Sequence, residues 1–271
     1  MTTRDFPVVH DRGLLDEPET IAPLRPASTV MLVRDGIGGL EVFVLRRVGT
    51  MSFAPSVHVF PGGGVDGRDT SDDLPWAGPS VTEWSEVMDC PEDEVRGFVA
   101  AAAREVFEET GVLLAGAEDG SDPVERLGGR EAAARSRQAL VERELSFAEV
   151  LRDAGLRLRS DLLTYRAHWI TPVTEPWRFD TRFFLAEVPA GQEPDGETSE
   201  ADHAAWVRPE ELLAAGDSGD ALVMPPTRVC LEQLAAAGSV ARAMAERPPT
   251  AAILPVFVNT PDGPVVRVEL P

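Results

Sequence analysis

Lysine is absent from this 271-residue chain; all 25 basic residues are arginine. Asparagine and tyrosine occur once each, at Asn259 and Tyr165. Two cysteines, Cys90 and Cys230, cannot build a disulfide framework, and their scarcity points to a reducing, cytoplasmic setting. The bases fall far short of the 46 acids, leaving a net charge of −21. A phosphate backbone needs a basic surface, so no nucleic-acid partner is expected. No apolar run reaches the ~20 residues that span a bilayer. Met1 to Pro26 carries charges throughout and lacks the apolar core of a signal peptide, so no membrane partner is expected either. What is present is 43% hydrophobic residues, enough to bury the core of one large domain.

The acidity is uneven. Pro61 to Gly120 holds 15 acids against 3 Arg, and Glu193 to Asp220 holds 9 acids against Arg208. From Arg126 to Arg166 the sign reverses, with 9 Arg against 6 acids. Those arginines either pair with the acidic stretches or meet an anionic ligand, and the sequence leaves both open.

Strand-like and helix-like segments are mixed. Ser28–Val33 and Leu40–Arg46 read as a hairpin around Asp35-Gly36-Ile37-Gly38-Gly39. Val57–Phe60 reads as a short strand running into Pro61-Gly62-Gly63-Gly64, and Asp66 to Asp89 as a polar loop. Pro91 to Thr110 is a helix with acids at its start and Gly111 at its stop. Glu131 to Leu145 is helical in composition, and Ser146-Phe147-Ala148-Glu149 opens another helix with a capping box. Tyr165–Pro172 and Arg182–Val188 read as strands, Pro209–Ala215 and Pro226–Ala245 as helices, and Ile253–Leu270 as a final hairpin. The expected class is α/β, with a mixed sheet layered between helices. The boundaries are a lead-in over 1–25, one domain over 26–245 with a loop insertion at 64–90 and a helical insertion at 115–163, and a C-terminal hairpin over 246–271.

The helix from Pro91 to Thr110 carries the chemistry. Val95, Phe98, Val99, Ala102 and Val106 fall on one arc and form its buried face. Glu105, Glu108 and Glu109 fall on an adjacent arc in the last turn and a half. Acids there oppose the helix dipole and one another. A sequence that breaks local rules in this way points to a functional site, and a divalent cation would turn the repulsion into attraction. The alternative is a solvated acidic helix end paired to arginines.

Arg104-Glu105-Val106-Phe107-Glu108-Glu109-Thr110-Gly111-Val112 satisfies every specified position of REUXEEXGU, the second half of the Nudix box. Phe60-Pro61-Gly62-Gly63 matches its opening Gly pair. On these residues the chain resembles the Nudix hydrolase superfamily, which implies an α/β/α sandwich with a mixed β-sheet and, here, a helical insertion. In the box the opening Gly precedes the Arg by 14 positions; here Gly63 precedes Arg104 by 41. Counted back from Arg104, the first box Glu falls on Arg96, with Asp93 or Glu94 as substitutes. The Ser52–Gly63 stretch, the extra residues, Tyr165–Pro172 and Arg178–Phe184 are similar to the peroxisomal CoA-diphosphatase branch and its bacterial relatives.

That resemblance implies a Mg²⁺-dependent hydrolase, with Mn²⁺ as a substitute, that cleaves the diphosphate of a nucleoside diphosphate linked to another moiety. CoA or acyl-CoA, split to 3′,5′-ADP and (acyl-)4′-phosphopantetheine, is the leading substrate. ADP-ribose, NADH and nucleotide sugars are the alternatives, and a non-catalytic binding module is a further one. The implied metal ligands are Glu105, Glu108 and Glu109, a backbone carbonyl at Gly62 or Gly63, and a later acid, Glu200 or else Glu197. Arg104 orients the carboxylates, and Glu105 is a third ligand or the base. Arg46 or Arg47, Phe60 and Arg178 are expected on the substrate, with Trp177 and Phe179 able to stack on a base. A small-molecule partner is implied, and a homodimer is compatible with the resemblance.

Overall fold

The computed structural model describes residues 2–8, 20–49, 56–249 and 251–271. The start of the Ser52–Gly63 stretch, up to Pro55, and residues 1 and 9–19 of the lead-in fall outside them. The chain opens with β1 (Thr2–Pro7). β2 (Leu24–Gly36) and β3 (Gly39–Arg47) form a long hairpin closed at Gly36 and Gly39. β4 (Val57–Val59) and β5 (Gly62–Gly64) follow. β6 (Trp76–Ala77) and α1 (Val81–Met88) lead into the long α2 (Glu92–Thr110). Next come β7 (Ala115–Ala117), α3 (Pro123–Arg126), α4 (Arg130–Val141), α5 (Phe147–Asp153) and β8 (Leu156–Arg159). β9 (Thr164–Ile170), β10 (Arg178–Glu187) and β11 (Ala201–Val207) return to the main sheet. α6 (Pro209–Ser218), β12 (Leu222–Val223), α7 (Pro225–Ala237) and α8 (Val240–Ala245) precede β13 (Ala252–Ile253), β14 (Val256–Thr260) and β15 (Gly263–Leu270).

Among the described residues, nine strands form one mixed sheet. Its path is β12-β4-β3-β2-β10-β9-β13, with β11 also on β3 and β5 also on β2. The centre is the parallel pair β2 and β10, which run together from Leu24↔Arg178 to Val33↔Glu187. Side chains alternate across a strand, so β2 divides its apolar residues between two layers. Val30 and Leu32 pack with Phe98, Val99, Val106 and Phe107 of α2. Met31 and Val33 pack with Leu231 and Leu234 of α7 and Val240 of α8. The molecule is therefore an α/β/α sandwich. Ser28 Oγ donates to the Phe98 carbonyl at 2.7 Å and pins α2 to the central strand.

Four local readings need correction. The lead-in begins with a strand: β1 pairs with β15 from Thr2↔Leu270 to Pro7↔Val265, because Phe6 has a core to enter. The 66–89 loop contains α1, whose Ser80 and Glu83 form a capping box. The helix expected over 226–245 is two, broken where Gly238 takes a φ of 68° and Ser239 caps α8. β11 reads poorly in sequence because its residues are half-buried or exposed and lack strong apolar alternation.

Candidate active site

Strand β5 brings the glycines to α2. It pairs with β2 through Gly62↔Thr29 and Gly63↔Ser28. A Cβ on Gly62 would lie 2.4 Å from the Ser28 carbonyl oxygen, and one on Gly63 would lie 2.5 Å from Glu105 Oε1. Only glycine lets the backbone and the carboxylates approach this closely. The Gly62 N–H donates to Glu109 Oε2 at 2.7 Å.

Arg104 organises the acids and is itself buried. Its Nη1 donates to Glu105 Oε1 at 2.8 Å and Glu108 Oε1 at 3.0 Å. Its Nη2 donates to the Gly64 carbonyl at 2.8 Å. Nε and Nη2 form a fork on Asp69, both at 2.9 Å. Burial works against the Arg104 charge, but Asp69, Glu105 and Glu108 outweigh it and hold the pKa above its ordinary value.

The glutamates are in the opposite position. Burial, reinforced by Glu108, pushes the Glu105 carboxyl up to about 7 despite Arg104. Burial also pushes Glu109 well above the usual range; Glu105 and Glu200 add to this, while the Gly62 N–H and Arg47 oppose it. The end of α2 thus holds acids that bind protons too readily for an ordinary surface.

Asp69 is the residue the sequence reading missed. It is 3% exposed and also accepts the Asp66 N–H at 2.8 Å. Counted forward from Gly63 by the spacing of the box, Asp69 falls on the position of the first Glu, one methylene shorter. The extra residues therefore lie between that acid and Arg104. Arg96, which counting back had selected, pairs instead with Asp72 at 3.6 Å. Glu94 lies by Cys90, which donates to it from Sγ at 3.7 Å, and takes no part in the site.

A cleft of about 620 Å³ opens over this assembly. Gly62, Gly63, Arg104, Glu105, Glu108, Glu109, Glu200, Arg47 and Phe60 all line it, as does Phe179. Arg46 does not: it pairs with Asp202 at 2.7 Å on the surface, because neighbouring residues of β3 point to opposite faces. Arg178 does not either. It is buried, and its guanidinium donates to the carbonyls of Thr171, Pro172 and Ala22, tying strand ends together. The Glu197 carbonyl accepts from Arg137, and Trp177 lies outside the cleft beneath the Arg25 guanidinium, 4.7 Å from its ring centroid.

The arginines of the basic stretch are largely paired with acids, most of them from outside it. Arg126 pairs with Asp119, Arg152 with Asp73, Arg157 with Glu118, Arg159 with Asp161 and Arg166 with Glu246. Arg137 pairs with Asp195 at 2.7 Å and donates to the Glu108 carbonyl at 2.7 Å, bracing the end of α2. From this stretch Leu140, Val141 and Arg143 reach the cleft.

Among the described residues, no group of three His, Cys, Asp or Glu side chains stands ready as a metal cage, and no helix is long and apolar enough to cross a membrane.

No family model matches the chain. It is 30% identical over 190 residues to "Putative nudix hydrolase 7" of Caenorhabditis elegans, covering 69% of this chain and 52% of that protein. It is 26% identical over 220 residues to "Acyl-coenzyme A diphosphatase NUDT19" of Xenopus laevis, covering 69% of this chain and 57% of that one. The chain thus spans about half the length of these curated relatives. The crystal structure of a NUDIX hydrolase from Alicyclobacillus acidocaldarius superposes with a TM-score of 0.64 at 28% identity, covering 85% of this chain and 100% of that one. With the Gly pair, the box arginine and its three glutamates all lining one cleft, the chain is similar to these Nudix hydrolases in sequence, in fold and in the residues of the site.

Proposed function

We propose that the chain is a divalent-cation-dependent diphosphohydrolase acting on a nucleoside diphosphate joined to a second moiety, with CoA or acyl-CoA as the substrate. The observation that carries the reading is the burial of Glu105 and Glu109 against the Gly62–Gly63 backbone inside a cleft of nucleotide size.

The donor set suits a hard cation. Glu108, Glu109, Glu105, Glu200 and a carbonyl at Gly62 or Gly63 offer oxygen alone, and carboxyls with raised proton affinity in a buried site welcome another positive charge. Mg²⁺ binds through one or two carboxylates together with substrate phosphates and waters, so it does not require a complete protein cage. When bound, such an ion neutralises diphosphate charge and makes a bound water more acidic.

The protein's own groups supply the rest. Arg104 fixes the rotamers of Glu105 and Glu108. Asp69 fixes Arg104 in turn. The buried, unpartnered Nε of Arg47 at the cleft supports a grip on a phosphate oxygen, and Glu105, where it is not a ligand, takes a proton from the attacking water. The name of the Xenopus relative supports the choice of an acyl-CoA-type substrate. Cys90 and Cys230, both buried and unpaired, are compatible with a cytoplasmic setting.

The test is incubation of CoA with the protein and Mg²⁺ or Mn²⁺, with products separated and identified. Formation of 3′,5′-ADP and 4′-phosphopantetheine supports the reading. Intact CoA alongside cleaved ADP-ribose or NADH would transfer the assignment to those substrates.

A further inference from the structure

The cleft does not end at the glutamates. Its floor crosses the main sheet from Arg47 on β3, past the β5 glycines, Thr181 and Phe183 on β10, to Trp169 on β9. Beyond β9 it reaches Phe257 and Val266, which belong to the separate three-stranded sheet β1-β15-β14. Register makes this wall. Phe257 of β14 stands opposite Val266 of β15, and Val266 stands opposite Phe6 of β1. Directly opposed residues share a face, so Phe6, Val266 and Phe257 form one apolar row across three strands. Phe6 is 5% exposed and Val266 8%, which anchors the row in the core beneath α7.

The two ends of the cleft differ in chemistry. Asp66, Arg68 and Arg143 line the end beside the glutamates. Trp169, Phe183, Phe257 and Val266 line the part that lies over β10, β9 and the small sheet. Glu175, which also lines the cleft, already has a partner. Thr171, Thr181 and Thr227 offer polar atoms along the way, which the amides and hydroxyl of a pantetheine arm need, whereas Phe257 and Val266 offer apolar surface, which suits methylenes.

We infer that the sheet built from the two ends of the described chain is part of the substrate site. Phe257, backed by Val266, is the end wall that sets how long an acyl chain at the far end of the linked arm can be. The inference rests on the proposed diphosphohydrolase reading and deepens it. The adenosine half lies toward Arg68 and Arg143, and the linked chain lies along Trp169 toward Phe257. Neither residue touches the scissile bond, so their role is in specificity.

The experiment measures kcat/KM for acetyl-, hexanoyl- and lauroyl-CoA with Mg²⁺ in the parent, Phe257→Ala and Phe257→Trp. One methylene in an apolar pocket changes discrimination by about 10-fold or more. Phe257→Ala should therefore raise the lauroyl-to-acetyl ratio at least ~10-fold, and Phe257→Trp should lower it. Val266→Met, which fills the wall from the next strand, should also lower it and serves if a Phe257 variant fails to fold. Rates that fall by one common factor for every chain length would overturn the inference. So would an equal fall for ADP-ribose and lauroyl-CoA, which would put the adenosine at this end. A parent that cleaves none of these substrates sinks the diphosphohydrolase reading itself, a result distinct from an unmoved ratio.

Discussion

Two charged regions of this molecule meet opposite fates. In the helical insertion most arginines find an acid close by in space: Arg157 reaches Glu118 at 2.9 Å and Arg159 reaches Asp161 at 2.6 Å, all near water. At the end of α2, Glu105 and Glu108 share one guanidinium while Glu109 sits against the Gly62 N–H, and burial raises Glu105 and Glu109 toward their neutral forms. Exposed pairs of the first kind contribute little and cost little. The second arrangement stores repulsion in a dry place, which a chain under no other demand would not keep. The same contrast separates residues that can be neutralised freely from those that cannot.

The largest expected effect is on the glutamates. Glu108→Gln and Glu109→Gln preserve shape, and a Gln oxygen can still accept the Gly62 N–H. Each should lower kcat by at least ~10²-fold, about 2.7 kcal/mol in the barrier. Stability without added metal should stay level or rise in Glu109→Gln, which makes no ion pair with Arg104, because like charges at the helix end are relieved. Parent-level rates with Mg²⁺ in both variants would remove these residues from the site.

Asp69→Asn tests the organiser. Arg104 would keep Glu105, Glu108 and Gly64 but lose the charged half of its fork on Asp69. A hydrogen bond between charged groups contributes about 1.5–3 kcal/mol, so a loss in that range is expected in urea unfolding. Activity should fall too, as Arg104 loses its alignment. A variant as stable and active as the parent would show that Asp69 merely fills space.

The effect of pH follows from the same carboxyls. Burial pushes Glu105 up to about 7 in the folded chain and also raises Glu109 well above the usual carboxylate range. Unfolded glutamates titrate at about 4.3. Between those values the native state holds protons that the unfolded chain has released, so stability contributed here falls as pH rises from about 4.5 through 7. Melting in a chelator should therefore give a lower Tm near pH 8 than near pH 5.5 from these groups, and Glu109→Gln should flatten that slope. Mg²⁺ should raise Tm more at the higher pH, where it no longer competes with protons. A slope unchanged in Glu109→Gln would mean that other groups set it.

How much of this was legible in the sequence varies with the range of the interaction involved. The α2 face, its Gly111 stop and the Gly62–Gly63 pair depend on local spacing, and they read directly. Asp69 did not, because counting back from Arg104 crossed the inserted residues; counting forward from Gly63 reaches it without crossing them. Arg46 and Arg47 could not be told apart until β3 had a register and one of them a face. Arg137 and Arg178 find their carbonyl and carboxylate partners through tertiary contacts to Asp195, Glu108 and Ala22, which no local pattern encodes. Phe6 joined the far wall only when β1 found β15 across the full length of the chain.

The smallest effect sharpens the comparison from the basic side. Arg143 is the exception in its stretch: it lines the cleft, its side chain is 78% exposed, and Asp66 lies 4.0 Å away. It holds a left-handed φ of 61°, while Arg68 clamps its carbonyl at 3.2 Å. An exposed guanidinium at the cleft can meet an anionic group distant from the diphosphate, such as the 3′-phosphate that separates CoA from dephospho-CoA. Screening by water limits its contribution to about 0.2–1 kcal/mol. Arg143→Gln should lower the ratio of kcat/KM for CoA to that for dephospho-CoA by roughly 1.4- to 5-fold, which is that energy expressed as a rate. Arg157→Gln and Arg159→Gln, whose charges are spent on Glu118 and Asp161, should leave the ratio where it was. A parent that does not distinguish CoA from dephospho-CoA, or an Arg157→Gln that moves the ratio as far as Arg143→Gln, would show that the arginines act only through the net charge of the molecule.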